Sequence, residues 1–380
     1  MGHNAVGNDL SDAIIGLIGT RGPLSRASIA RQLGVSPASI THLTRSLIEE
    51  GVLREAGTDA SSGGRPATLL DLNDRRRYAL GVKITPNHLA VTEVEMNKEQ
   101  GPSTSLDLDM RSPDALDQIT QAVAQAARSH QDELMGVGLA IPGFSKPQDP
   151  DIVTAPILGW NQVDLGRLVR ERTGLPVIID NDVNALLLAH RLYSPQPTGD
   201  DLLITIGIGI GAAFTSQGQI IHGGRGGAGE LGHTMITESD TPCSCGLSGC
   251  LEALIGDDGL VRQARKSGLL TATQGKDHLN ALALSGNEAA RSVFYDAALL
   301  LGRAAANLVH LLDPDTVTIS GEGVDVWPLW EAGFSHGFRS RLPIHRRDIP
   351  VTVQPWSEDT WAYGAASLVF ASPIVGRRAS

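Results

Sequence analysis

The only three cysteines of this chain, Cys243, Cys245 and Cys250, fall within one short stretch. His233 lies just upstream, and Glu230 and Glu252 bracket the set. Three thiolates plus one imidazole complete a tetrahedral shell for zinc, and a shell closed by protein leaves no open position for water. The zinc expected here is therefore structural. Its job would be to pin a loop that carries Glu230, His233 and Glu252 into one pocket. Gly246 and Gly249 suit the turns of a metal knuckle. The Cys-x-Cys-x4-Cys spacing supplies three donors, and His233 is the candidate for the fourth. If His233 ligates, one ring nitrogen takes the metal and the other is left for a further contact. Glu230 is one partner for it. The plainer alternative is three reduced thiols buried as small apolar side chains beside an unrelated histidine.

A second chemical set sits at Asp180-Asn181-Asp182. Residues 176–179 read as a strand that delivers it, and ligands gather at the carboxyl ends of strands in open α/β sheets. An amide beside a carboxylate suits polyol recognition or the deprotonation of a hydroxyl. Asp180 has a second reading as the cap of the following helix. Two glycine-rich turns, Gly207-Ile-Gly209-Ile-Gly211 and Gly321-Glu-Gly323, follow apolar strands at 202–206 and 316–319. Such turns bring backbone amides to phosphate, or only reverse the chain.

The elements that must position these groups follow from periodicity and punctuation. Leu10, Ala13, Ile14, Leu17 and Ile18 repeat at helical spacing, and Gly22-Pro23 stops the run. Ser25 can cap a second helix with Ile29, Ala30 and Leu33 on its apolar face. Gly34-Val35 makes a short turn. Ser36 with Pro37 is a paired start signal for a third helix. Ile40, Leu43, Leu47 and Ile48 form its core face, and Ser39, Thr41, His42 and Arg45 lie opposite. A helix, a tight turn and a helix with a small polar face is the arrangement that reaches base edges in the major groove. Strands at 51–54 and 68–72 then flank Ser61-Ser-Gly-Gly-Arg65-Pro66, a wing tip whose arginine suits phosphate or a narrow minor groove. Ser36, Ser39, Thr41, His42, Arg45 and Arg65 are the candidate DNA contacts. Arg45 also stands four residues from Glu49, where a surface ion pair is the plain alternative. A helical domain that contacts only protein is the corresponding alternative for the whole segment.

The remainder reads as an α/β ligand-binding module. Strands are predicted at 78–84, 89–94, 135–141, 176–179, 202–206 and 316–319, with helices at 114–128 and 184–193. Trp160 suits either a sugar face or the core.

With 380 residues the chain has room for two or three domains. Its net charge of −11 argues against nucleic acid for the whole molecule. The first 80 residues, however, hold nine arginines against eight carboxylates, so the acidic excess lies in the rest. Any DNA contact is expected on the first segment. No apolar run reaches membrane-spanning length, and the N-terminus lacks a signal-peptide core. Clustered thiolate ligands suit a reducing cytoplasm. No membrane partner is expected.

These residues together resemble the family named for repressors, open reading frames and kinases, the ROK family. The resemblance covers nearly all of residues 10–370. Its most specific parts are Glu230-Leu-Gly-His233 and Cys243-x-Cys245-Gly-x-x-Gly-Cys250-x-Glu252. Ile141-Pro-Gly143, Leu158-Gly-Trp160-Asn161, Asn181-Asp182-Val-Asn184-Ala185 and Leu312-Asp-Pro314 leading to Gly321 support it. The resemblance implies an α/β fold: an N-terminal winged helix-turn-helix joined to a two-lobed actin-like, ribonuclease H-like, sugar-kinase-like module. The winged helix would span 1–75 and the module 76–380. Within the module the smaller lobe would hold about 76–180 plus the C-terminal helix, and the larger about 181–355. The resemblance further implies that Asn181, Asp182, Glu230, His233 and Glu252 hydrogen-bond sugar hydroxyls. Asp182 would match the kinase general base, and His233, Cys243, Cys245 and Cys250 would hold zinc.

One departure separates sensor from kinase. Sugar kinases of this family carry Asp-x-Gly-Gly-Thr at the first hairpin, where this chain reads Lys83-Ile-Thr85-Pro86-Asn87. A lysine replaces the carboxylate, both glycines are gone, and Pro86 has no amide hydrogen. Phosphoryl transfer depends on positioning and charge stabilisation around the phosphates. The expectation is a repressor that leaves a palindromic operator when a sugar or sugar derivative binds between the lobes. It would act as a homodimer or a dimer of dimers, because two-fold proteins read paired half-sites. The rival readings are an ATP-dependent sugar kinase, residual or bifunctional, and a regulator controlled by a protein partner.

Overall fold

The computed structural model describes residues 3–59, 67–73, 78–96, 99–128, 134–193 and 199–371. The chain divides into two compact units, Met1–Pro197 with Glu358–Ser380, and Thr198–Ser357.

The first unit opens with α1 (His3–Arg21), a short strand β1 (Leu24–Ser25), α2 (Arg26–Leu33) and α3 (Pro37–Glu49). Ser25 accepts the Ser28 amide at the start of α2, and Ser36 accepts the Ser39 amide at the start of α3. Side-chain oxygens are needed there because the first amides of a helix have no partner inside it. Gly34 ends α2 with φ of 65°, a left-handed conformation that costs glycine little. β2 (Leu53–Asp59) and β3 (Ala67–Leu72) pair antiparallel, and β1 joins the free side of β3. The wing is thus three-stranded, with β1 an addition to the expected pair. The tip that carries Arg65 lies outside the described residues.

The sheet of this unit follows: β4 (Tyr78–Ile84), β5 (His88–Glu95), β6 (Gln100–Asp107), α4 (Ala115–Ala127) and β7 (Leu134–Ile141). Next come β8 (Phe144–Lys146), β9 (Asp149–Ala155), β10 (Trp160–Asp164), α5 (Leu165–Thr173), β11 (Val177–Asn181) and α6 (Asp182–Tyr193). The five-stranded order is β11-β7-β4-β5-β6, and β8, β9 and β10 form their own small sheet. β6 has no apolar alternation and contains a proline, which a sheet admits at its edge. Periodicity alone therefore does not find it.

The second unit holds β12 (Asp201–Ile206), β13 (Ile210–Ser216), β14 (Gln219–Ile220), α7 (Leu251–Ile255), α8 (Asp257–Lys266), α9 (Lys276–Leu284) and α10 (Glu288–Leu312). β15 (Thr316–Ser320), α11 (Trp327–Arg339) and β16 (Val351–Val353) complete it. Its sheet order is β14-β13-β12-β15-β16. Each large sheet is an antiparallel meander of three strands extended by two parallel ones, so one connectivity is used twice. Phe294 of α10 meets Trp330 of α11 edge-on in the core, with Phe334 and Phe338 stacked beside them.

The last helix, α12 (Glu358–Phe370), belongs to the first unit and packs on β4, β7 and α6. α6 stays with that unit, so the division falls after it rather than near residue 180. One apolar cluster runs from Ile14, Ile18, Ile29 and Ile40 through Ala79, Val94 and Met96 to Ala366, Val369 and Phe370. The helix-turn-helix segment and the sheet therefore share a core across residue 75. Burying such side chains contributes roughly 1.5–3 kcal/mol each relative to exposure.

Candidate functional site

The sequence forms a metal-sized cluster in the second unit because its turns are glycine turns. Gly246 and Gly249 have φ of 90° and 73°. The Cys243 amide donates to the Leu247 carbonyl at 2.8 Å, and the Gly246 amide donates to the Cys243 carbonyl at 3.1 Å, closing the knuckle. Short bridges Met235–Cys250 and Pro242–Ser248 tie it to the chain around His233. One donor atom from each of His233, Cys243, Cys245 and Cys250 lies within 4.8 Å of every other. Cys245 Sγ and Cys250 Sγ are 3.6 Å apart, as are Cys243 Sγ and His233 Nδ1. Zinc bonds of about 2.3 Å to sulfur and about 2.0 Å to nitrogen give tetrahedral edges of roughly 3.8 and 3.5 Å. The four side chains thus fit a tetrahedral ion, with Nδ1 of His233 the nitrogen that would face it. Its Nε2 lies 3.7 Å from Glu230 Oε2, which makes Glu230 the neighbour of that ring. Burial pushes the Cys250 thiol up to about 12, while the Leu247 amide holds Cys245 below its usual range.

Glu252 stands in the first turn of α7, directly after Cys250. Its Oε2 accepts the Ile210 amide at 3.2 Å. The Gly207 amide donates to the Gly209 carbonyl at 3.1 Å. A side chain at Gly207 would strike the carboxylate of Glu322, and one at Gly209 would approach that of Glu252 at 2.9 Å. Two amides of this glycine turn are therefore already used, and two carboxylates crowd it. That is a poor cradle for phosphate.

In the first unit, β11 delivers Asn181 and Asp182 to the start of α6, as its carboxyl end should. Asn181, and not Asp180, caps the helix. Its Oδ1 accepts the Val183 amide at 2.9 Å and the Asn184 amide at 3.4 Å, while its Nδ2 donates to the Gly143 carbonyl at 3.0 Å. Asp180 instead accepts from the Asn181 amide at 2.7 Å and from Asn184 Nδ2 at 2.9 Å. The reason is reach: only the residue next to the first helical one can face the second and third amides.

Asp182 Oδ1 accepts its own Val183 amide at 2.9 Å, and Oδ2 is paired with Lys83 Nζ. The pair is buried, with 9% and 14% of the two side chains exposed. Lys83 also lies over the Trp361 ring, 4.0 Å from its centroid, where a cation is attracted to the π-face. The Lys83 ammonium and the Asp182 carboxylate therefore occupy one another. The sequence carries the two halves separately, since Lys83 and Asp182 are 99 positions apart. Trp160 proves to be core: it is 6% exposed, and its indole N–H donates to the Met110 carbonyl at 3.0 Å.

Ser36, the cap of α3, and Ser39, Thr41, His42 and Arg45 within it are all exposed. Ser36 and Ser39 hydroxyls lie 2.9 Å apart, and the Thr41 hydroxyl donates to the Pro37 carbonyl at 2.8 Å. Arg45 pairs with Glu49 at 2.9 Å, with 79% and 65% of the two side chains exposed. Exposed pairs of this kind hold weakly, so the guanidinium stays available. Thr44, between them, is buried and accepts from Arg26 Nε at 3.0 Å, which fixes α3 on α2.

Two family models match the chain. The model of the ROK family matches residues 80–371, and that of the IclR helix-turn-helix domain matches residues 13–57. The chain is 28% identical to the N-acetylglucosamine repressor of Escherichia coli O6:H1, over 89% of its own length and 88% of the relative's. It is 35% identical to a glucokinase of Halalkalibacterium halodurans, over 60% of its length and 72% of the enzyme's. The crystal structure of a ROK family transcriptional regulator, a homologue of the E. coli MLC protein, superposes with a TM-score of 0.83 at 25% identity, covering 98% of both chains.

Proposed function

The chain belongs to the ROK family, and within it we propose a sugar-responsive transcriptional repressor that does not phosphorylate its ligand. The observation that carries the reading is Lys83 on Asp182, in a unit whose core is continuous with a helix-turn-helix. A base for phosphoryl transfer must reach the attacking hydroxyl. Here both oxygens of Asp182 are engaged, and the glycine turn of the other unit is lined by Glu252 and Glu322. Repressors named for N-acetylglucosamine among the relatives, and the DNA-binding partner implied by the IclR-type segment, point the same way.

In this reading Asn181, Asp182, Glu230, His233 and Glu252 hold sugar hydroxyls, since amides and carboxylates offer paired donors and acceptors to vicinal diols. Asn181 contributes what its capping role leaves over. Zinc on His233, Cys243, Cys245 and Cys250 is structural: bound, it supplies a fixed charge and a closed loop. Ser36, Ser39, Thr41, His42 and Arg45, with Arg65 of the wing, meet double-stranded DNA. The protein works in the cytoplasm as a homodimer, or a dimer of dimers, on a palindromic operator. No described helix is long and apolar enough to cross a membrane.

The test is a thermal-shift screen against xylose, glucose, mannose, N-acetylhexosamines and their phosphates, with and without ATP–magnesium, followed by DNA release. A ligand that binds the native state raises the melting temperature by mass action. A shift with one sugar, none with ATP and loss of DNA on adding that sugar support the reading. Retention of Asp182 and the glucokinase likeness favour a kinase as the second reading. A joint shift with ATP and consumption of ATP would establish it.

A further inference from the structure

The pair formed by Lys83 and Asp182 stands at one end of α12, and the DNA-binding segment stands at the other. Trp361 opens the buried face of α12 beneath Lys83. Ala366, Val369 and Phe370 close it in the cluster shared with Ile14 and Ile18 of α1. Phe370 lies nine positions after Trp361, about 14 Å along the helix at 1.5 Å per residue.

The helix has no slack along this path. A side chain at Gly81 of β4 would strike the Ala362 carbonyl, one at Gly138 of β7 the Ala365 carbonyl, and one at Gly16 of α1 the Phe370 carbonyl. A side chain at Gly364 of α12 itself would lie 3.3 Å from the Ala185 backbone of α6, the helix that begins with Asp182. Backbone thus rests on backbone at both ends and in the middle. Arg21 Nη2, at the end of α1, also donates to the Arg191 carbonyl near the end of α6, at 3.2 Å. Contacts of this kind move as a block, because packed interiors have discrete arrangements and are not continuously deformable.

We infer that Lys83 and Trp361 couple the occupancy of Asp182 to the DNA-binding segment through α12. The inference rests on the sugar-binding role proposed for Asp182. A hydroxyl that donates to Asp182 competes with the Lys83 ammonium for the same oxygen. The displaced ammonium must be accommodated above the Trp361 ring or leave it. Either response changes the seat of the first turn of α12, and the glycine contacts carry that change to α1. Lys83 and Trp361 are positioning residues here: Trp361 reaches the ligand only through Lys83. A ligand shifts such an equilibrium only by binding one arrangement more tightly than the other, and coupling of this sort amounts to about 5–150-fold in affinity.

The experiment uses the full-length protein and a DNA duplex that the wild type selects from random sequence. DNA affinity is read by fluorescence anisotropy with and without D-xylose, D-glucose, D-mannose and N-acetyl-D-glucosamine, and sugar binding by thermal shift in parallel. Trp361→Leu should keep the melting shift of the wild type with the same sugar, yet change its DNA affinity less than about twofold on sugar addition. Wild-type DNA release in Trp361→Leu would overturn the coupling. Lys83→Met provides an arm without ligand. With no sugar present it should bind DNA about tenfold more weakly than wild type, at an unchanged fraction of folded protein. Equal affinity would overturn the inference equally. If none of the four sugars moves the wild type, the sugar-sensing reading is what fails, and the Lys83→Met comparison still decides the coupling.

Discussion

Glu252 and Asp182 are both carboxylates at the start of a helix, and each accepts a backbone amide, from Ile210 at 3.2 Å and from Val183 at 2.9 Å. What surrounds them differs. Glu252 follows directly on the cysteine cluster, whose members lie within a short stretch of sequence and are turned by left-handed glycines. No side-chain cation is paired with Glu252 among the described residues. Asp182 is closed by a lysine from β4 that rests on a tryptophan from α12. The first arrangement asks for an ion from outside, and the second has its cation built in. The loop of the second unit is therefore expected to fail with its metal, while the Lys83 site fails one residue at a time.

The largest effect should come from the metal. Cys245 is exposed, so Cys245→Ser removes a ligand without opening a cavity. Wild-type protein should carry about one zinc per chain by elemental analysis, and the variant almost none. The melting shift with sugar should disappear in the variant, while the helix content by circular dichroism stays. Normal sugar affinity in zinc-free protein would sink the claim that the metal orders Glu230, His233 and Glu252, and with it the contrast between the two regions.

Next in size is the ion pair. Removing one partner of a buried pair strands the other charge, at a cost of about 3 kcal/mol. Lys83→Met and Asp182→Asn should each lower stability by about that amount in urea denaturation, and the double variant should lose less than the sum. Additive losses would mean that the two groups do not hold each other. Measurement by denaturant midpoint, with an unchanged slope, keeps the comparison within two-state folding.

The same contrast separates what is legible in the amino-acid sequence from what is not. The cysteine set, the Ser25 and Ser36 caps and the strand leading to Asp182 are signals spread over a few residues, and each lies where periodicity and capping chemistry put it. The partner of Asp182 is not legible. It depends on β4 and β11 flanking β7 in the sheet, with Lys83 level with Ala140 and Ala140 level with Asp180. No local pattern encodes that register. Asp180 and Asn181 both satisfy the chemistry of a cap, and helix start and reach choose between them. Trp160 has two chemically equal uses, and the Met110 carbonyl decides for the core. Edge strand β6 and the short β1 lack an apolar period to announce them.

The glycines under α12 sharpen the comparison further. Gly138→Ala sets a methyl group against the Ala365 carbonyl, and Gly16→Ala sets one against the Phe370 carbonyl. Overpacking of this kind costs about 1–3 kcal/mol. Both should destabilise by about 2 kcal/mol, but they act at different ends of the helix. Gly16→Ala should lower DNA affinity while leaving the melting shift with sugar intact, and Gly138→Ala should impair both. An equal pattern in the two variants would remove α12 as the element that distinguishes the ends.

The smallest effects belong to the exposed face of α3, where Ser39, Thr41, His42 and Arg45 lie in solvent and the response should appear in DNA binding alone. Arg45 and Glu49 form an exposed pair whose loss should leave the melting temperature unchanged. Arg45→Ala should nevertheless weaken binding to the selected duplex about tenfold, within the 1–3 kcal/mol that one well-placed base contact supplies. Glu49→Gln should strengthen binding slightly, about twofold, because it frees the guanidinium and removes a negative charge near phosphate. The salt dependence separates two roles for Arg45. A contact to a base edge leaves the slope of affinity against salt nearly unchanged and relaxes preference at one position. A contact to phosphate lowers the slope by about one and weakens all sequences alike. Identical binding of Arg45→Ala and wild type would leave the exposed face of α3 without its leading contact, and would move the search to Ser39, Thr41 and His42.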